Sequence, residues 1–191
     1  ANPAVSIDDH AAAVAATRHL IEFGHRRIAH VAGRAGMTSA LLRKNGFRHA
    51  MMEARLDVDP RLIVEGQYDF DSGSAAVERL MILEDKPTAV FCANDATAIG
   101  VLHRCASLGI EVPRQLSVIG IDDVDSAAAT TPPLTTIRQP RHMIGVSAAS
   151  LLIALIAGHD IPTANVVLPF ELVVRGSTAP PVTRSAEPPA G

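Results

Sequence analysis

The sequence has 191 residues, of which 48% are hydrophobic and 19% are charged, and its formal net charge is −3. This composition is typical of a globular domain with a sizeable core and excludes a chain that is disordered throughout. Its 17 basic and 20 acidic residues provide no strongly basic face, which argues against a nucleic-acid-binding module within this stretch.

Cysteine usage and apolar runs indicate the compartment. Cys92 and Cys105 lie in apolar patterns without CxxC spacing, which predicts buried, reduced thiols and fits a reducing cytoplasm. No basic segment followed by an apolar one opens the chain, so no secretory signal is expected. The longest apolar run, 151–157, is too short to span a bilayer. We therefore expect a cytoplasmic protein without a membrane partner.

Apolar periodicity predicts helices alternating with strands. In chain order, we expect a helix ending near 23, a strand at 27–32, a helix at 40–54, a strand at 62–65, a helix ending near 83, a strand at 88–92, a helix ending at 108 and a strand at 116–121. The predicted helix N-caps are Asp8 or Asp9, Thr38 or Ser39, Asp71 or Ser72, and Asn94. Short connections and β-branched strands predict an α/β fold, a parallel sheet with helices on both faces.

The last third follows a different pattern. After Pro132 and Pro133, we expect a strand-like crossing at 134–139 and a helix at 140–157 that is apolar almost all round. Such a helix needs cover on more than one side, yet no further βα unit follows it. One strand is predicted at 166–174, interrupted at Pro169, and the segment 178–191 is predicted to be a disordered tail.

Polar side chains follow four predicted strands at their carboxyl ends, where ligands bind in sheets of this kind. These residues are Ser39 and Arg43, then Gln67, Tyr68 and Asp69, then Asn94 and Asp95, then Asp122 and Asp123. Guanidinium, carboxylate, amide, hydroxyl and phenol groups together suit a small polar organic ligand. For the residues that precede helices, simple helix capping is the alternative interpretation.

Motifs that carry catalysis or bind metals and cofactors are missing from the sequence. It has no P-loop, no GxGxxG, no GxSxG elbow and no HExxH. Asp122 and Asp123 are adjacent, so a strand would send their side chains to opposite faces, which is a poor arrangement for an acid–base couple. We therefore predict no catalytic residues, no metal site and no cofactor.

Five motifs occur in the order seen in bacterial transcriptional regulators of the lactose-repressor/galactose-repressor family, and the chain resembles these proteins from Val5 to Thr178. The motifs are LIEFGHRRIAHVAG (20–33), SALLRKNGF (39–47), PTAVFCANDATAIGVLHRCASLGIEVPRQLSVIGIDD (87–123), PPLTTIRQP (132–140) and LPFELVVRGST (168–178). The resemblance implies a cytoplasmic homodimeric repressor with an N-terminal helix-turn-helix head for operator DNA. It also implies a sensor with the two-lobed, type I periplasmic-binding-protein-like fold, which binds a small-molecule effector between its lobes.

The same resemblance divides the chain between the two lobes. It assigns 10–122 and 170–177 to a nearly complete C-terminal lobe, and 1–9 and 134–169 to the crossing segments and a remnant of the N-terminal lobe. The helix-turn-helix head and most of the first lobe are not expected in this stretch. A solute-binding protein of a sugar transport system is the alternative, although GHRRI and ELVVRGST favour the regulators.

The resemblance also assigns residues to sites. By position, Arg43 corresponds to an effector-binding arginine, Ser39 to a polar pocket residue, Tyr68 to an aromatic residue packed on the effector, Asn94 to a pocket amide and Asp122 to an effector-binding aspartate. Asp95 and Asp123 are left as structural residues. Ile99 and the segment Ala127, Ala128, Ala129 and Thr130 correspond to positions near a dimer interface. The effector could be a sugar, a nucleobase or a sugar acid.

Overall fold

A computed structural model of the chain describes residues 3–159 and 165–182. Its strands are β1 (Val5–Ile7), β2 (Ile28–Val31), β3 (Ile63–Val64), β4 (Ala89–Cys92), β5 (Ser117–Asp122), β6 (Thr135–Arg138), β7 (Val166–Leu168) and β8 (Glu171–Val173). Its helices are α1 (Asp9–Glu22), α2 (Thr38–Glu53), α3 (Phe70–Met81), α4 (Asp95–Ser107), α5 (Asp125–Ala129) and α6 (Arg141–Ile156). The predicted helices and strands occur in the predicted order, although β1 and α5 were not predicted.

Six strands form one sheet in the order β3-β2-β4-β5-β6-β8. All neighbours pair in parallel except β6 and β8, which are antiparallel. The predicted α/β fold class is therefore confirmed. The segment predicted as one strand at 166–174 forms two strands, because the extended conformation is interrupted at Pro169. Its first half, β7, pairs with β1 in a separate two-stranded sheet, whereas its second half, β8, joins the main sheet.

The core has two layers, one on each face of the sheet. Alternate residues of β4 face opposite layers, as expected for a strand: Phe91 packs with α1 and α2, whereas Val90 and Cys92 pack with α3 and α4. Cys92 and Cys105 are buried free thiols in the α3/α4 layer, as predicted. Burial raises the pKa of Cys105 to about 11, which keeps that thiol protonated.

Close approach of α3 and α4 depends on two glycines. A Cβ atom at Gly73 would lie 2.0 Å from the carbonyl oxygen of Thr97, and one at Gly100 would lie 2.0 Å from that of Phe70. Both obstacles are backbone atoms, which cannot rotate away as a side chain could. The two helices therefore pack at a distance that only glycine permits at these positions.

Helix α6 lies apart from both layers of the core. None of its residues is buried, and Leu152, Ile153 and Ile156 are 58%, 67% and 78% exposed. Its contacts with the rest of the molecule are at its first turn, where Ile144 packs against the α1/α2 layer and Arg141 lies 3.3 Å from the Asp125 carboxylate. The helix has the predicted bounds, but the part of the chain that the structure describes leaves it uncovered.

Two of the predicted helix caps are wrong. Helix α2 already includes Thr38 and Ser39 and has Met37 at its N-cap position, without a side-chain hydrogen bond. Helix α3 begins earlier than predicted because Asp69, not Asp71 or Ser72, accepts the capping hydrogen bond from the Ser72 amide at 2.9 Å. Asp8 and Asn94 cap α1 and α4 as predicted.

The predicted disordered tail begins too early. Thr178 is 7% exposed, and its hydroxyl lies 3.0 Å from the His19 ring. The Ala179 amide donates a hydrogen bond to the Ser117 hydroxyl at 3.0 Å. These contacts attach 178–179 to α1 and β5, so the prediction is wrong for the start of the segment. Residues 183–191 of the predicted tail lie outside the described residues.

Candidate ligand-binding site

Of the two charged residues assigned to the effector site, Arg43 and Asp122, Arg43 is the more buried, at 6% exposed. It lies in α2, and every nitrogen of its guanidinium contacts an acceptor. Nε donates to Oδ1 of Asp9 at 2.8 Å, one terminal nitrogen lies 2.7 Å from the same oxygen, and the other donates to the Ala93 carbonyl at 2.5 Å. Asp9, in the first turn of α1, was predicted only as a possible cap, so the sequence did not reveal this pair.

Tyr68 covers the end of β2 next to Arg43. Its hydroxyl is 3.0 Å from the Ser39 hydroxyl, and its ring centroid is 5.8 Å from the Arg43 guanidinium carbon, within cation–π range. A Cβ atom at Gly33 would lie 2.1 Å from this ring, so glycine is required beneath it. Tyr68 also has a positive φ of 66°, an unusual conformation for an aromatic residue. The structure therefore brings Ser39, Arg43 and Tyr68 together.

Asn94 holds Tyr68 in place from the end of β4. Its amide nitrogen donates to the Tyr68 carbonyl at 3.0 Å, and its amide oxygen accepts the capping hydrogen bond from the Thr97 amide at 3.0 Å. Each end of this amide thus has a partner within the chain. Asn94 both begins α4 and fixes the strained backbone of Tyr68, which is a positioning role.

Asp122 ends β5 in a strained turn, because it and Asp123 both have positive φ values, 132° and 54°. One oxygen of Asp122 accepts a hydrogen bond from the Gln139 side chain at 2.6 Å. The pKa of Asp122 is raised to about 6 overall. Burial raises it most, the positive charge of Arg43 lowers it, and the negative charge of Asp95 raises it. Gln139, from the segment between β6 and α6, was not among the predicted site residues.

Asp123 and Asp95 have structural partners. Asp123 accepts hydrogen bonds at 2.6 Å from both Arg138 and Arg175, and although burial acts to raise its pKa, these bonds lower it overall. Asp95 accepts a hydrogen bond at 2.6 Å from the Thr136 hydroxyl and another from a backbone amide just after β5. Burial raises the pKa of Asp95. Asp122 and Asp123, the two carboxylates at the end of β5, therefore have different partners, as expected for adjacent side chains on opposite faces.

Two surface grooves lie beside this cluster. One, of about 310 Å³, is lined by residues that include Gly33, Met37, Leu41 and Lys44. The other, of about 450 Å³, is lined by residues that include Gln139 and Arg141. None of the five predicted ligand-binding residues lines either groove. The candidate site is therefore defined by its convergent polar groups, which determine the ligand that a site can hold, rather than by groove volume.

Within 3–159 and 165–182, no group of three or more His, Cys, Asp or Glu side chains could hold a metal ion. In the same residues, no helix has the length and apolar character needed to cross a membrane.

The predicted dimer-interface residues differ in exposure. Ala127 is fully buried in the α3/α4 layer, so its side chain is not available to a partner, and that part of the prediction is not supported. Ile99 and Thr130 are half-buried, whereas Ala128 and Ala129 are exposed. Burial of Ala127 follows from its place on the inner side of α5, where its amide donates to the carbonyl of Val124.

The chain is similar to known proteins over most of its length. Residues 17–178 match the model of the periplasmic binding protein-like domain. The chain is 40% identical over 176 residues to the HTH-type transcriptional repressor CytR of Escherichia coli strain K12. The aligned region covers 92% of this chain and 52% of that protein. The chain spans about half the length of the curated relatives it matches.

Solved structures show the same similarity. A LacI family transcriptional regulator from Mycobacterium smegmatis superposes with a TM-score of 0.88 at 36% identity, covering 93% of this chain and 66% of that one. The transcriptional regulator CelR, solved in complex with cellobiose, superposes with a TM-score of 0.85 at 34% identity, covering 92% of this chain and 54% of that one.

Proposed function

Because the chain belongs to the lactose-repressor/galactose-repressor (LacI) family of transcriptional regulators, we propose that it senses a small polar effector and thereby controls operator binding by an N-terminal helix-turn-helix head. In this proposal, the whole protein is a cytoplasmic homodimer that binds DNA and has no catalytic role. The observation that carries it is the convergence of Ser39, Arg43 and Tyr68 at the carboxyl edge of the sheet, where the charge of Arg43 also acts on Asp122.

Each side chain of the cluster has a role that suits a polar ligand with several hydrogen-bonding groups. Arg43 would donate hydrogen bonds, Asp122 would accept them, and Ser39 can do either. The Tyr68 ring offers a flat apolar face for a sugar ring or a base. Asn94 would act indirectly, because both ends of its amide already hold the protein together.

The hydrogen bond between Asp122 and Gln139 connects effector binding to a conformational change. Asp122 belongs to the main sheet, whereas Gln139 immediately precedes Pro140 and α6. An effector that forms a hydrogen bond with the Asp122 carboxylate would compete with the Gln139 side chain for the same oxygen. Binding would therefore change how the segment leading into α6 is held against the sheet, and an effector shifts such an equilibrium only by its unequal affinity for the two arrangements.

Thermal unfolding of the 191-residue chain with a panel of sugars, sugar phosphates and nucleobases tests the site. One compound should raise the Tm, and Arg43→Ala should remove that rise. Loss of a charged hydrogen bond should cost about 1.5–3 kcal/mol, roughly ten- to a hundredfold in affinity. Arg61→Ala is the matched control, because Arg61 is exposed and pairs with Asp59 at 2.8 Å. An Arg43→Ala variant with unchanged affinity would contradict the assignment.

A solute-binding protein of a transport system is the second candidate, since the matched domain is described as periplasmic binding protein-like. Reading the gene upstream of the Ala1 codon separates the two functions. A helix-turn-helix there supports the regulator, and a secretory signal peptide supports the transport protein.

A further inference from the structure

Arg43 is the cation that a negatively charged effector would need, and it already forms an ion pair with Asp9. Asp9 is 15% exposed at its side chain and Arg43 is 7% exposed, so water screens the pair only weakly. Both nitrogens that reach Asp9 contact the same carboxylate oxygen, and the remaining nitrogen is held by the Ala93 carbonyl. Of the five guanidinium N–H donors these contacts use three, so two remain for an uncharged acceptor, whereas an anion would meet a charge that Asp9 already balances.

The second cation near Asp122 lies at the surface, with 54% of its side chain exposed. Arg141 is the other cation whose charge acts on Asp122, and it lies 3.3 Å from the Asp125 carboxylate and also donates to a backbone carbonyl. Within the described residues, the cluster of Asp9, Arg43 and Asp122 is neutral when Asp122 is protonated and carries one negative charge when Asp122 is ionised. An incoming phosphate or carboxylate at Arg43 would thus lose its hydration to meet a cation whose charge Asp9 already balances.

The pair is not needed to join α1 to α2, because these helices already pack through apolar contacts. Ala13 of α1 lies against Gly46 of α2, and Leu20 and Phe47 share the same buried layer. A Cβ atom at Gly46 would lie 2.4 Å from the His10 carbonyl oxygen, which shows how closely the two backbones approach. The ion pair therefore lies at the ligand end of an interface that is held by other contacts.

We infer that Asp9 is a specificity-determining residue of the effector site: it neutralises Arg43 and restricts the site to uncharged effectors that carry several hydroxyl or amide groups, excluding sugar phosphates and sugar acids. The inference rests on the proposed function. Its physical basis is that selectivity can arise from a group that opposes the wrong ligand as well as from one that attracts the right ligand.

Inorganic phosphate is the probe for the first experiment, with the Tm of the 191-residue chain as the readout and potassium chloride at equal ionic strength as the reference. Wild type should show no saturable rise at phosphate concentrations that saturate Asp9→Asn, which should bind phosphate about tenfold or more tightly than wild type. The double variant Asp9→Asn/Arg43→Gln should lose this gain. Asp59→Asn is the matched control, because it removes a carboxylate from the surface pairs with Arg27 and Arg61.

Two outcomes of the phosphate experiment overturn the inference. One is a saturable phosphate response of wild type that disappears in Arg43→Gln, since Arg43 would then be available to anions despite Asp9. The other is a folded Asp9→Asn protein that gains no more phosphate affinity than Asp59→Asn. Asp9→Ser provides a second test of the same position should the asparagine variant fail to fold, and circular dichroism checks both.

A second experiment compares matched ligands on wild type: glucose with glucose 6-phosphate, galactose with galacturonate, and adenosine with its monophosphate. Stabilisation by an uncharged member but not by its charged relative supports both the function and the inference. A charged member that stabilises more than its uncharged relative overturns the inference while the sensing function stands. Absence of any stabilisation counts against the sensing function, and the phosphate titrations still decide the role of Asp9.

Discussion

Helices α4 and α6 are both rich in apolar residues, yet they have opposite surroundings. Along α4, Ala98, Val101 and Cys105 are buried against the sheet and α3. None of the residues of α6 is buried, although that helix is the more apolar of the two. Apolar character alone therefore does not decide burial. A helix without a polar face, left uncovered by the described residues, has the composition of an interface element.

The largest expected difference between the two regions is in the response to side-chain removal. Phe91→Ala should lower the free energy of unfolding by about 3–5 kcal/mol, because Phe91 is fully buried in the sheet and its loss leaves a cavity. Ile153→Ala, on the exposed side of α6, should change it by less than about 0.5 kcal/mol. Urea denaturation of both variants measures the difference. Comparable losses would contradict the contrast between the two regions.

A pair of helix glycines sharpens the comparison with changes of opposite sign. Gly100→Ala in α4 should destabilise by about 1–3 kcal/mol, because the new methyl group meets a backbone carbonyl at 2.0 Å. Gly145→Ala in α6 should stabilise by about 0.5–1 kcal/mol, because it meets nothing within 4 Å and alanine favours the helix. The Tm values of the two single variants should therefore move in opposite directions. Movement in the same direction would show that α6 is packed.

Stability at the junction between the two regions should depend on pH. Asp122 has a folded pKa raised to about 6 from an ordinary value of 3.8, so its stabilising contribution is complete below pH 3.8 and is lost as the pH rises through 6. Asp122→Asn removes this penalty. Relative to wild type, the variant should therefore gain about 1–3 kcal/mol between pH 4 and pH 7. Urea titrations at the two pH values measure this gain.

Asp123 is the control for this pH dependence, because its linkage has the opposite sign. Its pKa is lowered, so the stability it contributes is present above pH 3.8 and is lost as the pH falls. Asp123→Asn should accordingly cost more stability at pH 7 than at pH 3. A parallel response of the two variants would contradict the separate environments described for these neighbours.

The sequence predicted the order and type of the elements because those depend on local periodicity. The buried run of β4 occupies four residues and the apolar pattern of α6 occupies sixteen, so both are visible in a short window of sequence. Cap positions were less predictable, since Asp69, Asp71 and Ser72 are all suitable caps and only the chain path after β3 selects the first. Burial of Thr178 depends on contacts with residues more than forty positions away.

The candidate site shows the same division between local and distant information. Arg43, Tyr68 and Asp122 follow from the rule that ligands bind at the carboxyl ends of parallel strands, aided by the family resemblance. Asp9 and Gln139 could not be predicted, because their partners lie 34 and 17 residues away on other elements. No local pattern distinguishes an aspartate in a first helical turn that binds an arginine from one that simply favours the helix end.

The most direct test of the account compares two neighbouring carboxylates in one ligand titration. The compound that stabilises wild type in the thermal panel is titrated against Asp122→Asn and Asp123→Asn, with the shift in Tm as the readout. The account predicts that Asp122→Asn loses the ligand response, whereas Asp123→Asn, whose carboxylate only binds Arg138 and Arg175, keeps it at a lower starting Tm. A response retained by Asp122→Asn and lost by Asp123→Asn would contradict the proposed site.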